Sequence, residues 1–79
     1  MRTSTKIRLT TEREDDVVVS TVESSPLIDW CGRYETAISI NGNLWRVAEE
    51  YNTLEEAMEG HVRFSEMSKE ELMNYKYIG

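Results

Sequence analysis

His61 is the only histidine in this 79-residue chain, and imidazole is the side chain whose charge changes nearest neutrality. It is therefore the first candidate for general acid–base chemistry. A base of that kind needs a nucleophile or carboxylate converging on it. Read as a helix, the segment around His61 turns Glu59 and Glu66 away from it. The expected role is that of a core or interface histidine with one hydrogen-bonded nitrogen. Gly60 precedes it, and a glycine inside a helix costs stability relative to alanine. Its presence points to close approach by a strand, another helix or a partner.

Two arginines, Arg33 and Arg46, could join Trp45 and Tyr34 in a small cationic–aromatic surface for a nucleotide. Strand alternation counts against this, because it places Trp45 and Tyr34 on the buried face. Trp30 stands in an apolar linker with Leu27 and Ile28. That linker either folds over a core edge or forms a partner-binding loop, since aromatic residues are enriched at interfaces. The candidate binding residues are thus Trp30, Arg33, Arg46, Gly60 and His61, and no catalytic residue is assigned.

Other chemistries lack their residues. Glu12, Glu14, Asp15 and Asp16 offer hard oxygen ligands but not the spacing and central glycine of a calcium loop, so a solvated turn is expected. Cys31 is the single cysteine, with no second cysteine two residues away, and reads as a passive buried thiol. Cys31 and His61 together are too few for a structural zinc site. There is no glycine-rich phosphate loop and no Ser-His-Asp set. Neither a metal nor a cofactor is expected.

Composition sets further bounds. The chain is short enough for one domain with a small core, for which partner subunits are a common source of added stability. The net charge of −6 opposes attraction to phosphate backbones or anionic lipid, so nucleic acid is not an expected partner. It favours solubility or a basic partner. No apolar run is long enough to span a membrane, and Met1-Arg2-Thr3-Ser4-Thr5-Lys6 leads into no apolar signal segment. A lone cysteine suits a reducing cytoplasm.

The elements that must position these residues follow from periodicity. Residues 6–22 read as an N-terminal hairpin: Ile7 and Leu9 alternate with polar residues, a charged turn spans Glu12 to Asp16, and Val17-Val18-Val19 resumes as a β-branched strand. Residues 23–33 form a linker broken at Ser24-Ser25-Pro26. Residues 34–51 form a central hairpin closed by Asn41-Gly42, a strong type I′ turn signal. That turn pairs Ile40 with Asn43, Ile38 with Trp45, Thr36 with Val47, Glu35 with Ala48 and Tyr34 with Glu49. The register places Tyr34, Thr36, Ile38, Trp45, Val47 and Tyr51 on one apolar face.

A helix over 53–67 opens with the capping box Thr53-Leu54-Glu55-Glu56. It gathers Leu54, Ala57, Met58, His61, Val62, Phe64 and Ser65 on one side, with Glu59 and Arg63 spaced for an ion pair on the other. A second box, Ser68-Lys69-Glu70-Glu71, starts a short helix over 68–76. The last residues, from Tyr75 to Ile78, either end that helix or add contact area to a dimer. The expected fold is α+β: a small antiparallel sheet of two hairpins, about four strands, covered by one amphipathic helix and extended by a short C-terminal helix. Whether the first hairpin joins the same sheet stays open.

Glu35-Thr36, a return strand, and the run Thr53-x-x-Glu56-Ala57-x-x-Gly60-His61 resemble a set of small phage and prophage proteins. The resemblance covers roughly a third of the chain, and Gly60-His61 is its most specific part. Ala37 and Ile38 depart from the set's usual Met and bulky apolar residue, and the tight Asn41-Gly42 turn replaces a longer loop. The resemblance implies a phage context and a bacterial host cytoplasm, not a reaction. The expected function is a non-enzymatic accessory protein that binds and modulates a host or phage protein. The alternatives are a virion structural or assembly component acting as a homo-oligomer, and a nucleotide-binding sponge or minor hydrolase using Arg33, Arg46 and His61.

Overall fold

The computed structural model describes residues 8–24 and 33–78. Its elements in chain order are β1 (Arg8–Glu12), β2 (Val17–Ser24), β3 (Arg33–Ile40), β4 (Arg46–Tyr51), α1 (Leu54–Glu66) and α2 (Lys69–Met73). The four strands make one antiparallel sheet in the order β1-β2-β3-β4. Both hairpins therefore belong to a single sheet, joined by β2–β3 pairing from Val17↔Ile40 to Ser24↔Arg33. The linker residues Trp30 and Cys31, and Ile7 before β1, lie outside the described residues.

Alternation decides which face is covered. Val17, Val19 and Thr21 on β2, and Thr36 and Ile38 on β3, are buried beneath α1. Val18, Val22 and Ala37 point the other way and are half-buried. The apolar core joins Val17, Val19, Ile38 and Ala48 to Phe64 of α1 and Leu72 of α2, with Ile40, Met67, Tyr75 and Tyr77 packed against it.

The two hairpin tips meet. Asn41 and Gly42 both have positive φ, and the Asn43 N–H donates to the Ile40 carbonyl at 3.0 Å, which closes the expected turn. At the other tip Asp16 takes a φ of 66°, which aspartate tolerates better than most residues. The Asn41 N–H then donates to the Asp16 carbonyl at 2.8 Å. The charged stretch from Arg13 to Asp16 is more than a solvated turn. Arg13 holds the Asp15 carboxylate with two nitrogens and donates from the third to the Met67 carbonyl at 2.6 Å. A guanidinium at a helix C-terminus satisfies a carbonyl that has no partner within the helix and faces the negative end of its dipole. The same guanidinium pulls the Asp15 carboxyl below its ordinary value of 3.8.

The register of the central hairpin differs from the expected one. Beyond the turn Ile38 pairs with Arg46, not Trp45, and Ala37 with Val47. The register then shifts again, so that Thr36 pairs with Glu49, Glu35 with Glu50 and Tyr34 with Tyr51, and Ala48 has no partner across the ladder. β4 thus carries two extra residues relative to a regular hairpin, and each insertion re-aims the side chains that follow. Trp45 is 52% exposed as a result and Val47 turns to the uncovered face, Ala48 enters the core in their place, and Tyr51 keeps the covered face expected of it.

The helix also turns differently from its apolar pattern. Ala57, Gly60, His61 and Phe64 are buried, whereas Met58 and Val62 are exposed. Close packing at Gly60 draws the 57–60–64 line onto the sheet and leaves Met58 and Val62 at the flank. Arg63 pairs with Glu49 of β4 in place of Glu59. Thr53 caps the Glu56 N–H as expected, at 3.1 Å, but the Glu56 carboxylate accepts from the Asn52 amide and not from Thr53. Ser68 and Glu71 form the complete reciprocal box. After Met73 the chain extends, and the Ile78 N–H donates to the Val47 carbonyl at 2.8 Å.

Candidate functional site

The two ends of the sheet hold different chemistry. Near the open end of the central hairpin, polar side chains cross beneath α1 in a continuous row. Tyr51 of β4 donates to Thr36 Oγ1 at 3.0 Å, Thr36 meets Thr21 of β2 at 2.6 Å, and Thr21 meets His61 Nδ1 at 2.7 Å. The other ring nitrogen, Nε2, meets Thr11 of β1 at 2.9 Å. All four strands are thereby linked to one helix residue. Every hydroxyl has a donor for a neighbour if His61 accepts at Nδ1 and donates from Nε2 to Thr11.

This arrangement accounts for Gly60 as well as His61. A Cβ at position 60 would overlap the Tyr51 hydroxyl and ring Cζ and lie 2.6 Å from Cε1. The close approach is thus a tyrosine sliding under the helix, and glycine is the residue that admits it. His61 is 8% exposed, and burial holds it below its ordinary value of 6.5, which favours the neutral ring. Both nitrogens are occupied by threonine hydroxyls, one more than expected. The close approach expected at Gly60 is that of the Tyr51 ring, and His61 directs both nitrogens to groups of its own fold.

Beside Tyr51 a polar depression of about 360 Å³ is lined by Glu49, Glu50, Glu56, Glu59 and Arg63. Glu49 is taken by Arg63, and Glu56 by the Asn52 amide. Among the described residues no group of three or more His, Cys, Asp or Glu side chains could hold a metal ion.

At the tip end a second row runs through rings. Phe64 and Tyr75 stack edge to face at 5.2 Å between centroids, and Tyr75 and Tyr77 do the same. The Arg46 guanidinium lies 4.8 Å over the Tyr77 ring, a cation–π contact. Tyr77 is itself fixed by donating its hydroxyl to the Leu72 carbonyl at 2.7 Å. Beside this row lies an open groove of about 210 Å³, lined by Ile38, Ile40, Leu44, Arg46, Leu72, Met73 and Tyr77, with Asn41 and Asn43 at the turn. Leu44 on its rim is 87% exposed. Met73 and the neighbouring Trp45 and Ile78 are exposed too. Among the described residues Arg46 meets no carboxylate.

The candidate residues therefore fall in separate places. Gly60 and His61 lie in the buried row, and Arg46 lines the groove, which His61 does not reach. Arg33 opens β3, and Trp30 lies outside the described residues. Sequence reasoning missed Leu44, Met73 and Tyr77 as groove residues, because no local spacing joins a hairpin turn to a C-terminal tail. It also missed Thr21 and Thr36. Each interrupts an apolar stripe two residues on from a buried valine or isoleucine, a readable sign of a polar partner above the sheet.

Comparison with family models, curated proteins and solved structures finds no match to this chain. No helix among the described residues is long and apolar enough to cross a membrane.

Proposed function

We propose that the protein is a non-enzymatic accessory protein of a phage or prophage that binds and modulates a host or phage protein in the bacterial cytoplasm. The observation that carries the binding role is the groove at the tip end, with Leu44 and Met73 exposed around Arg46. Large apolar groups concentrated at one surface mark interaction sites more often than scattered ones do. The phage setting is supported by the Glu35-Thr36 and Gly60-His61 resemblance alone. A nucleotide-binding or hydrolytic role would need Arg33, Arg46 and His61 to act together, and the burial of His61 within its own hydrogen-bond row weighs against it.

A homo-oligomer is the second reading. It is favoured by the reverse face of the sheet, where Val18, Val22, Ala37 and Val47 are half-buried with no described helix over them. Light scattering separates the two, because a strictly monomeric protein removes the oligomer. The direct test of the first reading is retention of a bacterial host protein by the tagged chain, against an unrelated acidic control. Retaining none, while a nucleotide raises the melting temperature of the chain, would overturn it.

A further inference from the structure

We infer that the groove between the Asn41-Gly42 turn and α2 docks a peptide segment of another protein, taking one bulky apolar side chain together with a neighbouring carboxylate. This rests on the partner-binding reading and names the chemistry of the partner. Ile38, Ile40 and Leu72 contribute apolar lining, with the exposed side chains of Leu44 and Met73 beside them. At about 210 Å³ the groove falls below the roughly 300–1,000 Å³ of small-molecule pockets and suits a single large side chain presented by a peptide.

The carboxylate follows from Arg46. The chain has 15 acidic residues against 9 Lys and Arg, yet among the described residues this guanidinium meets none of the acids. The Tyr77 ring beneath it restrains its orientation, so less freedom is lost when it forms a forked pair with a carboxylate. Lys69, the other cation near the turn, is bonded to the Asn41 side chain at 2.8 Å. The overall charge of −6 repels a polyacidic partner. The preferred ligand therefore carries one carboxylate beside its apolar anchor, from Asp, Glu or a C-terminus, in place of an acidic run.

The test is panning of displayed random twelve-residue peptides against the full chain and against its Arg46→Glu and Leu44→Asp variants. Wild type is expected to enrich peptides with Leu, Ile, Phe or Trp within two residues of one carboxylate. Arg46→Glu should exchange that acid for Lys or Arg. Synthetic copies of the enriched peptides should bind either variant roughly tenfold or more weakly by fluorescence anisotropy. Both substituted residues are exposed, so circular dichroism should be unchanged. Amide shifts in wild type on peptide addition, centred on Leu44, Arg46, Met73 and Tyr77, test the site without any substitution.

Enrichment that ignores acids, shifts centred elsewhere, or no enrichment at all would overturn the inference. So would a wild-type dimer that Leu44→Asp turns into monomer, since the groove would then hold a second copy. A lysate protein retained equally by wild type and both variants overturns the groove but leaves the partner-binding reading standing. A lysate that yields no partner strikes at that reading, while the peptide panning reports on the groove independently.

Discussion

The row beneath α1 and the row beside the groove solve one problem in two ways. Each must hold a helical segment against the sheet. At one end Tyr51, Thr36, Thr21, His61 and Thr11 do so through directed hydrogen bonds, and Gly60 lets the helix settle onto the tyrosine. At the other, Phe64, Tyr75 and Tyr77 do so through ring contacts and apolar burial, with the exposed Arg46 lying over the last ring. The hydrogen-bonded end consumes its functional groups internally, because a buried donor or acceptor left unpaired is costly. The aromatic end makes no such demand for pairing, so its last members can stay partly exposed and face a groove. The part of the molecule that holds the histidine is the less available of the two for binding.

The comparison breaks first at Phe64. Phe64→Ala is expected to cost about 3–5 kcal/mol, enough to unfold a domain of this size, and urea denaturation followed by circular dichroism would show it. Thr21→Val keeps the shape but cuts the hydrogen-bonded row in the middle, leaving His61 Nδ1 and Thr36 without that partner. A loss of about 1–3 kcal/mol is expected. A cycle with His61→Leu should return part of it, since replacing both partners by apolar groups removes the unpaired atoms. An additive cycle would mean that the row is not coupled.

Gly60→Ala comes next. Overpacking against Tyr51 costs about 1–3 kcal/mol, offset by up to about 1 kcal/mol of helix propensity. Its urea midpoint should fall, and a rise would show that Tyr51 can move aside freely.

Mild acid should act first on the hydrogen-bonded end, because Asp15 at the tip end, held below 3.8 by Arg13, responds only at lower pH. The folded His61 value lies below the unfolded 6.5, so the unfolded chain takes up the proton first as pH drops. Its contribution to stability is fully present above pH 6.5 and is lost as pH falls through the lower native value. The urea midpoint of wild type should decline over that window, and that of His61→Leu should decline less. At the groove, Arg46→Ala should change stability by no more than about 0.5 kcal/mol. A larger loss there would mean that the cation–π contact supports the fold and not a surface.

Legibility in the sequence also divides along these lines. Features governed by a few adjacent residues are readable: the Asn41-Gly42 turn, the Thr53 and Ser68 caps, the β-branched run Val17-Val18-Val19, and the alternation of Thr36 and Ile38 with their neighbours. The pairing of β4 is not. Alternation there puts Trp45, Val47 and Tyr51 on one face, whereas the two extra residues of β4 keep only Tyr51 on it, and that outcome depends on which residue can pass beneath the helix. Gly60 decides it, 9 positions after Tyr51. Gly60 signals close approach in the sequence, but the approaching group, Tyr51, is set by the extra residues of β4. The groove is less legible still, since it combines a turn, α2 and the tail.

The bond from the Ile78 amide to Val47 has a practical bearing on any assay. It places the C-terminal tail against the outer edge of β4, so the tail shields part of an edge that could otherwise recruit a strand from a neighbouring molecule. A bulky group fused close behind Ile78 would therefore sit beside that edge and Tyr77, whereas β1 forms the opposite margin of the sheet, away from the tail.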